Sequence, residues 1–117
     1  MIHHQETRDG VSVTFLQGVL DLQTSRDFTA LFDDFQKKGC RNIVLDLADV
    51  SFIDSQSLSL IITQAIQARE EGGNIRFSRV PPRLMRVFEL VGLHDVLEFF
   101  DDVDSAVQAF SRSSPEY

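Results

Sequence analysis

Asn42-Ile43-Val44-Leu45-Asp46-Leu47 is an apolar run too short for a helix and β-branched at Ile43 and Val44. A strand covered on both faces has this composition, and such strands are usually parallel ones. After Asp49-Val50-Ser51-Phe52-Ile53 comes Asp54-Ser55, and then Leu58, Ile61, Ile62, Ala65 and Ile66 recur at helical spacing until Gly72-Gly73. Residues 74–78 form the next strand, with Ile75 and Phe77 on one face. Strand, helix, strand in this order is a right-handed crossover unit, so the fold is α/β with a mostly parallel inner sheet.

Upstream, Val11, Val13 and Phe15 alternate with polar neighbours as a half-buried strand ending near Gly18. Arg8-Asp9-Gly10 is a tight-turn signal that hairpins an edge strand, residues 2–6, onto it. Phe28, Leu31, Phe32 and Phe35 then make the apolar stripe of a helix over 25–38, capped by Thr24 or Ser25 and closed at Lys37-Lys38-Gly39. Downstream, Pro81-Pro82 opens a helix over 82–91 whose stripe is Leu84, Val87, Phe88 and Val91. A short strand near 97–100 and a helix over 103–111, led by Asp101 and Asp102, complete the order β-β-α-β-α-β-α-β-α. The expectation is one domain over residues 1–111, with a four- to five-stranded mixed sheet and about four helices, and a tail at 112–117. Phe28, Phe32, Ile43, Leu45, Leu58, Ile62 and Phe88 are the expected core.

Composition agrees with this reading. The chain has 117 residues, the size of one domain, with 43% hydrophobic and 25% charged residues, which is ordinary for a globular protein. The net charge of −7 opposes general nucleic-acid binding and anionic membrane surfaces. No apolar run approaches the ~20 residues that span a bilayer, and the polar start lacks the build of a signal peptide. One cysteine, Cys40, cannot form an internal disulfide. A cytoplasmic setting, no membrane insertion and a role among other proteins are the expectations.

Several kinds of chemistry lack their residues. There is no phosphate-binding G-x-x-x-x-G-K-[ST] loop, no G-x-G-x-x-G after a strand and no G-x-S-x-G elbow. The only lysines, Lys37 and Lys38, close one helix, which removes the late lysine of a receiver domain activated on aspartate. His3 and His4 are adjacent, so on a strand they point to opposite faces and cannot chelate together. His94, after Gly92-Leu93, reads as a partner for helix-end carbonyls. Asp46 and Asp49 are separated by a strand end, and Cys40 reads as a small hydrophobe. No enzyme, cofactor or metal is expected.

The stretch Phe52-Ile53-Asp54-Ser55-Gln56-Ser57-Leu58-Ser59 runs from a strand through an acid and a cluster of hydroxyls into a helix. One reading is ordinary capping, with Asp54 or Ser55 as the cap. The other is an anion-sensitive site, because a helix N-terminus stabilises groups such as phosphate. The chain also resembles the STAS domains, and among them the stand-alone anti-sigma factor antagonists of bacteria. The resemblance is carried by Gly18-Val19-Leu20-Asp21, by Ile43-Val44-Leu45-Asp46-Leu47 followed by Val50-Ser51-Phe52-Ile53-Asp54-Ser55, by Gly72-Gly73, and by Val87 to Leu93.

That resemblance implies partner switching. The unmodified domain binds an anti-sigma factor of the serine-kinase type and frees the sigma factor. Phosphorylation at the start of the second long helix breaks the complex, and a serine phosphatase resets it. The family pattern D-S-[ST]-G-[LIV] puts the acceptor at its third position, where this chain has Gln56, and glycine at its fourth, where this chain has Ser57. Three readings follow: a permanently binding-competent antagonist, a displaced acceptor at Ser57 or Ser55, or a STAS scaffold or sensor subunit of a signalling complex or transporter that is never phosphorylated. Ser57 is preferred to Ser55 as the more exposed. Asp21, Asp54, Gln56 and Ser57 are the expected partner-binding residues. Arg76, Arg79, Arg83 and Arg86 gather around the third long helix, either as a solvated face that compensates the dipole or as part of the partner surface.

Overall fold

The computed structural model describes residues 2–21 and 23–112. Its elements are β1 (Ile2–Arg8), β2 (Val11–Leu20), α1 (Ser25–Lys37), β3 (Asn42–Ile53), α2 (Ser55–Glu70), β4 (Asn74–Ser78), α3 (Pro82–Leu90), a single 3-10 turn (Leu93–Asp95), β5 (Glu98–Phe100) and α4 (Val103–Arg112). The expected α/β domain with a mixed sheet and four helices is the one observed. α4 runs one residue into the segment assigned to the tail; residues 113–117 lie outside the described residues.

The five strands stand in sequence order, β1 antiparallel to β2 and the rest parallel. Asp9 (φ 51) and Gly10 (φ 78) both take left-handed backbone, the two-residue turn that matches the twist of a hairpin. Strands that always step the same way, joined by right-handed crossovers, put every crossover helix on one face. α1, α2 and α3 accordingly share one cluster with Leu16, Leu45, Leu47, Ile75 and Phe77. α4 has no further strand to join and folds back over the other face, where Val103, Ala106 and Val107 cover Val11, Val13 and Val44.

Within the larger cluster Phe77, Phe88 and Phe99 pack with ring centroids 5.2–5.9 Å apart. Phe28 and Phe32 pack at 5.1 Å. Side chains of this size contribute roughly 1.5–3 kcal/mol each when fully buried. Every expected core residue is buried except Ile62, which is half-buried, while Ile66 and Val91 are exposed. Gly73 is required by space: a Cβ there would collide with the Arg41 carbonyl, which accepts the Asn74 N–H at 2.9 Å.

Two strands run further than expected. β2 passes Gly18 to Leu20, and β3 passes Leu47 to Ile53. Where β2 advances from Phe15 to Gln17, β3 advances from Asp46 to Asp49, and a second irregularity separates Gly18 from Val19. These bulges let a strand continue through polar positions by re-aiming its side chains. No strand end therefore separates Asp46 from Asp49. Asp46 is buried and accepts from Ser78 Oγ (2.7 Å), Arg79 Nε (2.8 Å) and Arg79 Nη2 (3.1 Å). Its hydrogen bonds hold the Arg79 guanidinium even more firmly protonated than usual.

The arginine group is not one surface. Arg76 is buried on β4, bonded to Glu98 Oε1 at 2.9 Å and 4.1 Å from the Phe110 ring, which ties α4 to the sheet. Arg79 is bound to Asp46, and only Arg83 and Arg86 face solvent from α3. Arg83 stands in the first turn and Arg86 at mid-helix, neither of them in the last turn where positive charge offsets the dipole, so dipole compensation does not explain them. His94 is exposed with Nε2 3.5 Å from Asp95 and binds no helix-end carbonyl among the described residues. Cys40 packs against the core, and burial pushes its thiol pKa up. No helix among the described residues is long and apolar enough to cross a membrane.

Candidate partner-binding site

The ends of β2 and β3 and the start of α2 meet at one edge of the molecule. The Asp54 N–H donates to the Leu20 carbonyl at 2.9 Å, which locks the entry to α2 against the end of β2. Asp54 has extended backbone (φ −86, ψ 173), and its Oδ1 accepts the Ser57 N–H at 2.8 Å. Asp54, not Ser55, is therefore the cap, and its carboxylate takes the Ser57 N–H, one of those that an anion would need. The sequence placed both Asp54 and Asp21 at this edge, and the structure brings them there.

Asp21 shapes the exit from β2. Its Oδ1 accepts the N–H groups of Gln23 (3.0 Å) and Thr24 (3.2 Å), while Thr24 Oγ1 accepts the Asp21 N–H at 2.9 Å. Thr24 thus closes the turn before α1 and makes no side-chain cap on that helix; the Ser25 side chain lies outside the described residues. Residues Gln17, Gly18, Val19, Asp21, Gln23, Thr24 and Asp49 line an open hollow of about 600 Å³ beside the turn.

In the first turn of α2, Ser55 and Gln56 are exposed and Ser57 is only 4% exposed. This reverses the expected order of the two serines. The position after an N-cap stands clear of the sheet, whereas Ser57, three residues beyond the cap, is drawn in with Leu58 and Ile61. Ser55 and Gln56 are thus accessible from solvent, and Ser57 becomes so only if the turn opens.

Two exposed residues of this edge escaped the sequence reading. Val19 and Phe52 are cross-strand partners, 39% and 52% exposed. Neighbours on a strand alternate, so Leu20 and Ile53, which enter the core, turn Val19 and Phe52 outward. That alternation was the available signal, hidden because Val19-Leu20 and Phe52-Ile53 are adjacent apolar pairs that do not show which member faces in. Gly18, with φ 83, supplies the left-handed kink that sets Val19 in register with Phe52. Among the described residues no three His, Cys, Asp or Glu side chains are placed to share a metal ion.

The model of the STAS domain matches residues 4–106. The anti-sigma F factor antagonist of Paenibacillus polymyxa is 30% identical over 108 residues, which span 92% of this chain and 89% of that protein. The crystal structure of TM1081 from Thermotoga maritima superposes with a TM-score of 0.87 at 26% identity, covering 93% of this chain and 94% of that one. An anti-sigma factor antagonist from Mycobacterium paratuberculosis shares the fold, with a TM-score of 0.83 at 23% identity over 95% of this chain and 93% of its own. A shared fold, this order of motifs and a relative matched over nearly its whole length converge, and the chain belongs to the STAS domain family, among the anti-sigma factor antagonists.

Proposed function

We propose that the chain binds an anti-sigma factor of the serine-kinase type through the surface formed by Val19, Asp21, Phe52, Asp54 and Gln56, and that it stays binding-competent without dephosphorylation. The observation that carries this reading is Gln56, exposed in the first turn of α2 where the family pattern has its hydroxyl acceptor. A glutamine is neutral and polar, so it stands in for the unmodified residue. The exposed Val19–Phe52 pair beside it supplies apolar area of the kind that anchors protein interfaces. Ser57, inward-facing, shapes the turn from behind. With no acceptor at residue 56, a serine phosphatase has a substrate in this first turn through Ser55, its exposed hydroxyl.

Gln56→Glu places a charge where a phosphate would sit. A closely packed partner must then desolvate it without a counter-ion, and a cost of ~2.7 kcal/mol weakens affinity about 100-fold. Calorimetric titration of wild type and Gln56→Glu against the kinase captured from native lysate tests this, with Lys38→Ala as a control that leaves affinity unchanged. Equal affinities for wild type and Gln56→Glu place the interface elsewhere and favour a scaffold role. Incubation with that kinase and ATP gives no label at residue 56, and the double change Gln56→Ser with Ser57→Gly makes labelling appear. Strong labelling of wild type at Ser55 replaces constitutive binding with a displaced acceptor.

A further inference from the structure

Six large apolar side chains are exposed among the described residues, and the Val19–Phe52 pair accounts for two of them. The other four, Ile66 (48%), Leu90 (79%), Val91 (56%) and Val96 (45%), belong to the opposite end of the helical layer. Leu90 and Val91 end α3, and Val96 follows the 3-10 turn. The Val96 carbonyl accepts from Arg69 Nη2 at 2.5 Å, which holds it against α2 one turn beyond Ile66.

α3 carries a second unexplained feature. Arg83 and Arg86 precede Glu89, with no acid in the first turn and no base in the last. A solitary helix prefers the reverse order, because its N-terminus is already positive. Against an antiparallel copy of the same helix the order becomes complementary. With a twofold axis passing between Val87 and Phe88, Arg86 of each copy faces Glu89 of the other, and Leu90 lies along the other copy's Arg86 stem. Such a contact is isologous, each pair occurring twice.

The surrounding charge favours the same occupant. Exposed Arg69, Arg83 and Arg86 nearly balance exposed Glu70, Glu71, Glu89 and Asp95 in the segments that carry the patch, in a chain whose net charge is −7. Two copies meeting through most other surfaces bring like charge together, whereas here they meet through a nearly neutral one. We propose that this face, α3 flanked by Ile66 and Val96, is the interface of a homodimer of this chain. It is independent of the partner-binding reading, because that surface lies at the start of α2 and this one toward its end.

Sedimentation equilibrium of the full chain, from roughly 1 µM to 1 mM to cover an interface at the small end of the size scale, reads the result. The expected mass rises from one chain to two with concentration. Leu90→Asp raises the dissociation constant at least about tenfold, and its exposed position leaves the core intact. Arg86→Glu and Glu89→Arg, measured singly at low salt, each weaken association several-fold by setting like charges opposite one another. The double variant, Arg86→Glu with Glu89→Arg, regains affinity to within about threefold of wild type, because the pair is restored with its signs exchanged. Circular dichroism verifies that each variant is folded. A wild type that stays monomeric throughout, a dimer that Leu90→Asp leaves intact, or a double variant as weak as the sum of its parts overturns the proposal.

Discussion

Asp46 and Gln56 show how differently two polar residues in neighbouring elements can be used. Gln56 is turned to solvent at the start of α2, free for a partner to meet. Asp46 is 2% exposed and fully engaged by Ser78, Arg79 and the Ala48 N–H. Its task is to anchor Arg79, which holds left-handed backbone at φ 50 while its own N–H donates to the Phe100 carbonyl. Removing the guanidinium leaves a buried carboxylate short of donors. Arg79→Ala is therefore expected to lower stability by about 1–3 kcal/mol, a moderate figure because water reaches the half-exposed arginine side of the pair. Urea unfolding of wild type and variant measures it. An unchanged midpoint means that water replaces Arg79 completely.

α2 and α4 are started by side chains that the preceding residues supply. Asp54 caps α2, and Asp102 Oδ1 accepts the Ser105 N–H at 2.7 Å to cap α4. That backbone hydrogen bond, followed by the Ser105 side chain, holds the Asp102 pKa below its ordinary value. A carboxyl with a lowered folded-state pKa contributes stability that is complete above its unfolded value of about 3.9 and is lost as pH falls through the folded value. Asp102→Asn keeps a good capping side chain but removes the titration. Thermal melts from neutral to acidic pH should show wild type ahead at neutral pH and the difference shrinking below about pH 3.9. A difference that is constant with pH would show that Asp102 does not titrate on unfolding. The order of charge along α3 runs the other way, which is why that helix points to a second copy.

At the scale of the whole molecule, two apolar clusters back onto a single sheet. Val13 and Val44 point to α4 while Leu16, Leu45 and Leu47 on the same strands point to α1, α2 and α3. Loss of either layer exposes one face of β2 and β3, and Arg76 couples them by joining β4 and β5 to Phe110 of α4. The expected result is one cooperative transition, with far-ultraviolet circular dichroism and calorimetry giving the same midpoint and the calorimetric enthalpy equal to the van't Hoff value. An early phase confined to residues 103–112 by hydrogen exchange would show instead that α4 is an independently melting cover. The same architecture leaves the edge bearing Val19, Phe52 and Gln56 outside both clusters, so a partner there need not disturb the core.

The element order and the type of each long segment were legible in the chain, because amphipathic periodicity is a local property. Phe28, Leu31, Phe32 and Phe35 mark α1, and Asp54 marks the start of α2, whatever surrounds them. Asp21 and Gln56 were marked as candidate site residues by the family resemblance. Other features depended on residues distant in sequence, and only tertiary structure decided them. Arg76 is buried because Glu98 and Phe110 receive it, and Asp46 because Arg79 reaches back across the sheet. Phe52 faces outward because the bulges between β2 and β3 and the kink at Gly18 determine which neighbour turns in, and Ser57 faces inward because the first turn of α2 packs there with Leu58 and Ile61. Local patterning specifies that a segment has an apolar side; what lies against that side depends on packing with the rest of the chain.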